Sequence, residues 1–312
     1  MEERPILAGL EVSRLILGCG NFGGIGSAPE LFGGGESEEE AFGVMDAARG
    51  LGITMFDTAD AYGGGRSETA IGNWIVSRDD RPQITTKTFN PMNAGEDHGL
   101  ARARIARQIE SSLDRLRVES VDLYLAHGFD PDTPLQETIT TFEGLVQVGL
   151  IKAWGVSNFS ANELRAVLEL GRPAVVQNSY SLLDREDEAE VIGLCTAFDL
   201  AYTTHSPLAG GWLTGKYVRG EPPPPGSRMA LRPGPYERLR TDATFDALDR
   251  FAKAAAERGV DMATLAIAWL LAQPVVTAVL LGPRTPAHLD PGLRALDLQL
   301  TKDQADEIAA LF

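Results

Sequence analysis

Short apolar runs rich in β-branched residues alternate along this chain with longer stretches in which apolar positions return every three or four residues, the periods of strands and of amphipathic helices. The runs Leu15 to Leu17, Thr54 to Phe56, Ile84 to Thr86, Val121 to Leu125, Ala153 to Val156, Val175 to Gln177, Ala201 to Thr204 and Ala278 to Leu281 predict eight strands. The stretches Ser37 to Leu51, Glu68 to Val76, Leu100 to Leu116, Pro134 to Val148, Ala161 to Leu170, Glu186 to Phe198, Met262 to Ala272 and Pro286 to Leu296 predict helices between and after them. So regular an alternation predicts an α/β fold in the form of a closed (β/α)8 TIM barrel. An open doubly wound sheet fits less well, because no Gly-rich turn follows the first strand and nothing marks a reversal of winding.

Helix ends carry their usual punctuation. Ser37-x-x-Glu40 is a full capping box, Ser67-x-x-Ala70 a second start, and Gly52, Gly149 and Gly171 stand near exits. Two further helical stretches, Asp242 to Arg258 and Lys302 to Leu311, fall outside the alternation and are expected as additions packed on the barrel. From Pro207 to Thr241 the sequence contains EPPPPGSR and LRPGPYERLR, too rich in Pro and Gly for regular structure. A loop of this length in a compact fold is usually functional or mobile. The chain beyond Thr241 is too short for an independent core, so residues 1–312 read as one domain.

Composition narrows the function classes. A chain of 312 residues with 44% hydrophobic and 23% charged residues is a folded protein, not a disordered tail. Its net charge of −16 argues against non-specific attraction to nucleic-acid phosphates or an anionic membrane. Cys19 and Cys195 are too few for a disulfide framework and fit a reducing compartment, so a cytoplasmic location is expected. No run of 18 apolar residues occurs and the first residues lack the layout of a signal peptide, so neither a membrane span nor export is expected.

In such a barrel the active site lies at the C-terminal ends of the strands. The segment FDTADAYGGGRSE places Asp57 at the tip of the second strand and Tyr62 on the loop beyond it; Lys87 ends the third strand, and VDLYLAH places His127 just past the fourth. Each alone has an ordinary structural role, whether capping a turn, packing, solvation or a satisfied barrel-top histidine. Together they converge on one mouth, where a buried lysine needs a counter-charge and Asp57 supplies it. An ammonium beside a phenol, whose ordinary pKa is about 10, stabilises the phenolate and lowers that value. Tyr62 would then be a general acid for a developing alkoxide, with Asp57 fixing Lys87 and His127 hydrogen-bonding the substrate oxygen. That is carbonyl reduction, and the hydride must come from a bound nicotinamide.

The ordered motifs FDTADAYGGGRSE, VDLYLAH, GVSNFS, VQNSYSLLDRE and HSPLAGGWLTGKY resemble those of the aldo-keto reductases over nearly the whole chain. The resemblance implies a catalytic tetrad of Asp57, Tyr62, Lys87 and His127, and a cofactor extended across the barrel mouth with no Rossmann fingerprint. It implies that Ser157, Asn158 and Gln177 hold the nicotinamide carboxamide. Ser206 and the backbone around Leu208 and Gly210 would cover the pyrophosphate, with Lys216 and Arg228 closing the long loop over it. At the adenosine end Gly282 would permit close backbone approach and Arg284 would pair with a 2′-phosphate, which favours NADP(H) over NAD(H). On the following helix His288, Pro291 and Gly292 replace the family's frequent Gln, Glu and Asn, leaving the adenine contacts and the cofactor preference open. His205 stands where an aromatic ring commonly stacks on the nicotinamide. It would stack weakly or hydrogen-bond, and a protonated imidazole there would disfavour the oxidised ring.

Phe22, Phe129 and Trp212 are candidate walls of the substrate pocket, and residues 23–35 read as a Gly-rich, mobile rim. The expected partner is a small carbonyl compound; nothing selects a sugar, a steroid or a small aldehyde, and the sequence carries no signal for physiological direction or oligomeric state. Two rival readings stand beside the reductase. One is a cofactor-binding sensor or regulatory subunit with little turnover, like the relatives that associate with potassium channels. The other, a metal-dependent lyase or isomerase, would need clustered ligands, yet only His127 and His205 stand at strand ends and Lys87 opposes a cation there.

Overall fold

Eight parallel strands pair in chain order and the last pairs with the first, closing a barrel in a computed structural model that describes residues 6–95 and 97–312. They are β1 (Leu15–Gly18), β2 (Met55–Asp57), β3 (Gln83–Thr88), β4 (Val121–Ala126), β5 (Ile151–Ser157), β6 (Val175–Ser179), β7 (Ala201–His205) and β8 (Val276–Leu281). Closure is direct: Leu17 of β1 aligns with Phe56 of β2 on one side and Leu281 of β8 on the other. The eight-stranded barrel predicted by the alternation is therefore the fold found.

A strand pair the periodicity did not reveal precedes β1. Ile6–Leu7 and Leu10–Glu11 form an antiparallel hairpin turning through Ala8 and Gly9, at φ 53° and 78°. Two residues per strand are too few to show a period. Leu7 and Val12 nonetheless cluster with Ile16, Met55, Leu123, Val175 and Ala278, apolar residues from five of the barrel strands.

Ser37 makes the full capping box expected of it, at the start of the helix Glu38–Gly50. Ser67 does not start its helix, which runs Arg66–Arg78 from a left-handed Gly65. The glycine run before it makes the turn, and the Ser67 hydroxyl is used inside, 2.7 Å from Thr58 Oγ1 and donating to Cys19 O at 2.9 Å. The stretches from Glu186 and from Pro286 each break into a 3₁₀ turn and a shorter helix, Val191–Ala197 and Asp290–Asp297.

Both added helices are present as Asp242–Glu257 and Lys302–Ala309, with Phe251 of the first against Phe312 at 5.3 Å between ring centroids. The Pro-rich segment is more ordered than its composition predicts, with 3₁₀ turns at Ala209–Thr214 and Gly234–Leu239 and one helical turn at Arg228–Leu231. Pro and Gly forbid long helices there but tolerate single turns. Trp212 anchors it, packed on Tyr217 and Phe245.

The Gly-rich rim after β1 is likewise a hydrogen-bonded coil. Gly26 N donates to Gly20 O at 2.6 Å, Glu36 N to Asn21 O at 2.9 Å, and Gly63 N, beside Tyr62, to Gly26 O at 3.1 Å. Gly24 sits so close that a Cβ there would lie 2.6 Å from Gly63 Cα, so this rim packs directly on the tyrosine loop. Among the described residues no helix is long and apolar enough to cross a membrane, and no group of three or more His, Cys, Asp or Glu is placed to hold a metal ion.

Candidate active site

The parallel register of β2 and β3 aligns Asp57 with Thr85, so Lys87 emerges two residues further along the neighbouring strand. Both side chains are buried, Lys87 to 1% exposure, which removes water as a partner. The ammonium has three protons and finds three acceptors: the Asp57 carboxylate, Thr58 O at 2.9 Å and Tyr62 Oη at 3.5 Å. The second Asp57 oxygen accepts from Gln177 Nε2 at 2.8 Å. Gln177 lies on β6 as expected, although the strand runs two residues further to Ser179, and its amide is engaged by Asp57.

Tyr62 reaches this cluster because the chain after it turns through Gly63, Gly64 and Gly65, at φ 59°, 66° and 89°, which side chains with a Cβ resist. Its hydroxyl lies 3.4 Å from His127 Nε2, with the two rings edge to face at 5.4 Å. His127 is tied to β3 by its own N–H on Thr88 O, at 3.0 Å. The four residues proposed for the chemistry are thus one contiguous constellation.

Its charge states are set by burial. Burial alone would push the Lys87 pKa down, but Asp57 and Tyr62 outweigh it and hold the ammonium above its ordinary value. Burial pushes the Asp57 carboxyl up, with Lys87 pulling against it. For Tyr62 the balance differs from the lowered pKa expected: desolvation exceeds the pull of Lys87 and the phenol sits above its ordinary 10. His127 falls well below the usual histidine range, from burial first and then the charge of Lys87, and is neutral.

Across the mouth, Asn158 is exposed and left-handed (φ 60°). Its amide donates to His127 O at 2.9 Å and to the buried Ser157 Oγ at 3.1 Å, while its Oδ1 lies 2.9 Å from His205 Nε2. His205 Nδ1 is 3.1 Å from Ser206 Oγ. Burial, then Lys87, lowers the His205 pKa to about 4, so a cationic imidazole is absent there at neutral pH. Beyond β7 the chain turns through Ser206, Ala209 and Gly210, at φ 55°, 46° and 65°, with Leu208 half-buried among them.

Lys216, Arg228 and Arg284 form a cationic cluster at the far side, with the His288 imidazole beside it. Lys216 is lowered by partial burial and then by Arg228 and Arg284; His288 by burial and then by Lys216 and Arg284. A Cβ on Gly211 would lie 2.2 Å from Lys216 Cε, so only glycine lets this lysine fold back over the turn. Arg228 donates to Asn21 Oδ1 at 2.9 Å. Arg284 is not free as its expected role assumed: it pairs with the buried Glu36 at 2.5 Å and donates to Gly226 O at 2.9 Å. His288 Nδ1 accepts from the Arg284 N–H at 3.2 Å. At Gly282 a Cβ would meet nothing within 4 Å.

Of the expected pocket walls, Phe129 is half-buried and stands edge to face on Phe159 at 5.6 Å. Phe22 and Trp212 are buried, 0% and 1% exposed, with Trp212 packed on Tyr217 and Phe245. Sequence reasoning passed over Asn90, whose Nδ2 lies 3.2 Å from His127 Nδ1, and Arg104, whose guanidinium clamps Thr88 Oγ1 at 2.7 Å and Asn90 O at 2.6 Å. It also passed over Asp60, buried 3.9 Å from Arg104 and pushed by burial to about 7. Asp60 lay within the Tyr62 motif and was findable there as a second acidic residue; Asn90, in an aperiodic loop, carried no such signal.

Comparison with known proteins agrees with this fold. Residues 14–312 match the profile of the aldo/keto reductase family. The chain is 35% identical to the uncharacterized oxidoreductase YrpG of Bacillus subtilis (strain 168), over 95% of this chain and 90% of that protein. It is 33% identical to a probable voltage-gated potassium channel subunit beta of Oryza sativa subsp. japonica, over 97% and 94%. Among solved structures it superposes on the glycerol dehydrogenase AKR11B4 from Gluconobacter oxydans with a TM-score of 0.85 at 26% identity, covering 100% of this chain and 95% of that one. With barrel, motif order and profile all in agreement over almost its full length, the chain belongs to the aldo/keto reductase family.

Proposed function

We propose that this oxidoreductase is an NADP(H)-dependent reductase of a small aldehyde or ketone, able to run in reverse on the alcohol, with Tyr62 as the proton donor. The observation that carries the reading is the placement of Tyr62 Oη between Lys87 Nζ at 3.5 Å and His127 Nε2 at 3.4 Å, at the mouth of the barrel. The residues fit a dinucleotide. Lys216, Arg228 and Arg284 gather positive charge in a chain of net charge −16, as phosphates require, and the space around Gly282 is open. Ser157 and Asn158, with His205 beside them, would border the nicotinamide.

When bound, the nicotinamide supplies the hydride. The chain's own residues do the rest. A carbonyl oxygen between Tyr62 Oη and His127 Nε2 meets two hydrogen-bonding groups held before the reaction starts. Burial keeps the Tyr62 proton in place at neutral pH, so the acid is always in its donor form, and Lys87 stabilises the phenolate left behind. Asp57, held by Gln177, keeps Lys87 aimed.

Fluorescence titration with NADPH and NADH, followed by absorbance at the nicotinamide band with a panel of aldehydes, ketones and sugars, tests this. NADPH is expected to bind roughly ten- to a hundredfold tighter than NADH, the worth of a charge-assisted contact to the 2′-phosphate. Equal affinities would remove Arg284 from that role and favour its bond to Glu36 as structural. Tight binding with no turnover would favour a regulatory subunit, the reading to which the rice relative's description lends support.

The same titration carries a prediction about pH. With a pKa near 4, His205 changes charge only on acidification well below neutrality. No His205-dependent change in cofactor affinity is therefore expected across the ordinary histidine range, about pH 6 to 7.5. A break there that vanished in His205→Tyr would show that this imidazole is charged in the working protein.

A further inference from the structure

We propose that Asn90 is a positioning residue for the reduction: its side-chain amide donates to His127 Nδ1 and so fixes the neutral imidazole with its proton on Nε2, facing Tyr62. The use of this arrangement rests on the reductase reading; the tautomer itself does not.

A neutral imidazole has one N–H and one lone pair, and the partner of one nitrogen decides the role of the other. On the far side of the ring the partner is Asn90 Nδ2, 3.2 Å from Nδ1. On the near side Nε2 faces Tyr62 Oη at 3.4 Å. Burial and Lys87 keep His127 uncharged, so the ring has to choose.

The choice decides where the Tyr62 proton goes. Tyr62 Oη already accepts from Lys87 Nζ, and all three ammonium protons have acceptors, so Lys87 cannot take a proton from the phenol. With Nε2 protonated, His127 also donates toward the mouth, and the Tyr62 proton is left free for a substrate oxygen. With Nδ1 protonated instead, Nε2 becomes an acceptor and the Tyr62 O–H is spent on it. One tautomer presents two donors to a carbonyl oxygen; the other presents none.

Asn90 is itself held for this task. Its carbonyl accepts from Arg104 Nη2 at 2.6 Å, and the same guanidinium grips Thr88 Oγ1 and Gly99 O. Arg104 is only 3% exposed, so the whole turn after β3 is clamped from behind by one buried cation. His127 is pinned from the other side, its N–H on Thr88 O and its carbonyl accepting from Asn158 Nδ2.

The chain has four histidines, so ¹⁵N-histidine labelling of the whole protein gives a readable spectrum, with His127 assigned by its loss in His127→Gln. The expected result is an Nε2–H tautomer in the unaltered protein and a proton on Nδ1 in Asn90→Asp, whose carboxylate can only accept. Asn90→Ala is expected to lower kcat about ten- to a hundredfold, the range for losing an orienting partner behind an active imidazole, with NADPH affinity unchanged. An Nδ1–H tautomer in the unaltered protein overturns the proposal, as does an Asn90→Asp spectrum that keeps Nε2–H alone. The unaltered spectrum needs no substrate and no turnover, and its assignment needs only that His127→Gln keeps the other three histidine signals, so it separates this proposal from the reductase reading.

Discussion

Tyr62→Phe is expected to bind NADPH as tightly as the unaltered protein while kcat falls by about a hundred- to ten-thousandfold, the range lost when a positioned proton donor is removed. The substitution deletes one atom. The ring keeps its edge-to-face contact with His127 and its place under the Lys87 ammonium, 5.0 Å from the ring centroid. Lys87 loses only its longest hydrogen bond, the one at 3.5 Å, and retains Asp57 and Thr58 O. The thermal midpoint should therefore hardly move, and the three readouts separate chemistry from binding and from folding. Turnover within a few-fold of the original would remove Tyr62 as the acid.

That so much of this site is legible in the sequence has a physical reason. Strand exits are fixed by apolar runs, and in a barrel every exit faces the same mouth, so Asp57, Lys87 and His127 could be placed together without knowing a single contact. Contacts are another matter. Gln177 falls on the expected strand, but a primary amide there has two possible clients, and the structure gives it to Asp57. Arg284 looked free because Glu36, its partner, lies 248 residues away in the chain and enters only when the loops after β1 and β8 meet. Phe22 and Trp212 lie near the mouth in sequence, but their burial is a property of the packed fold that aromatic character alone does not carry. The Tyr62 pKa went the opposite way for a related reason: the attraction of Lys87 is visible in sequence, whereas the loss of water that exceeds it is a property of the packed fold.

Lys87→Met is expected to cost about 3–5 kcal/mol of stability at neutral pH, because it leaves the Asp57 carboxylate buried without its cation. Gln177 would remain as a donor, but a neutral amide does not balance a charge. Burial already pushes Asp57 above its ordinary value, and removing Lys87 takes away the strongest opposing influence, so its folded-state pKa rises further. A raised folded-state value gives a definite sign: Asp57 is no burden below its ordinary carboxylate pKa, and stability is lost as pH rises through the folded-state value. The single variant should thus be most stable in mild acid and weaken toward pH 8. Asp57→Asn/Lys87→Met removes both charges and is expected to recover most of the lost stability and to flatten that pH dependence, since a buried pair can often be replaced by neutral groups at little cost. Neither protein should turn over, because the phenolate formed at Tyr62 then has no cation beside it. Denaturant titrations at about pH 5 and pH 8, bracketing the carboxylate rise, compare the three proteins directly. A single variant as stable as the original at both values would mean that Asp57 is already protonated beside Lys87, and the charge assignment of the whole tetrad would have to be redrawn.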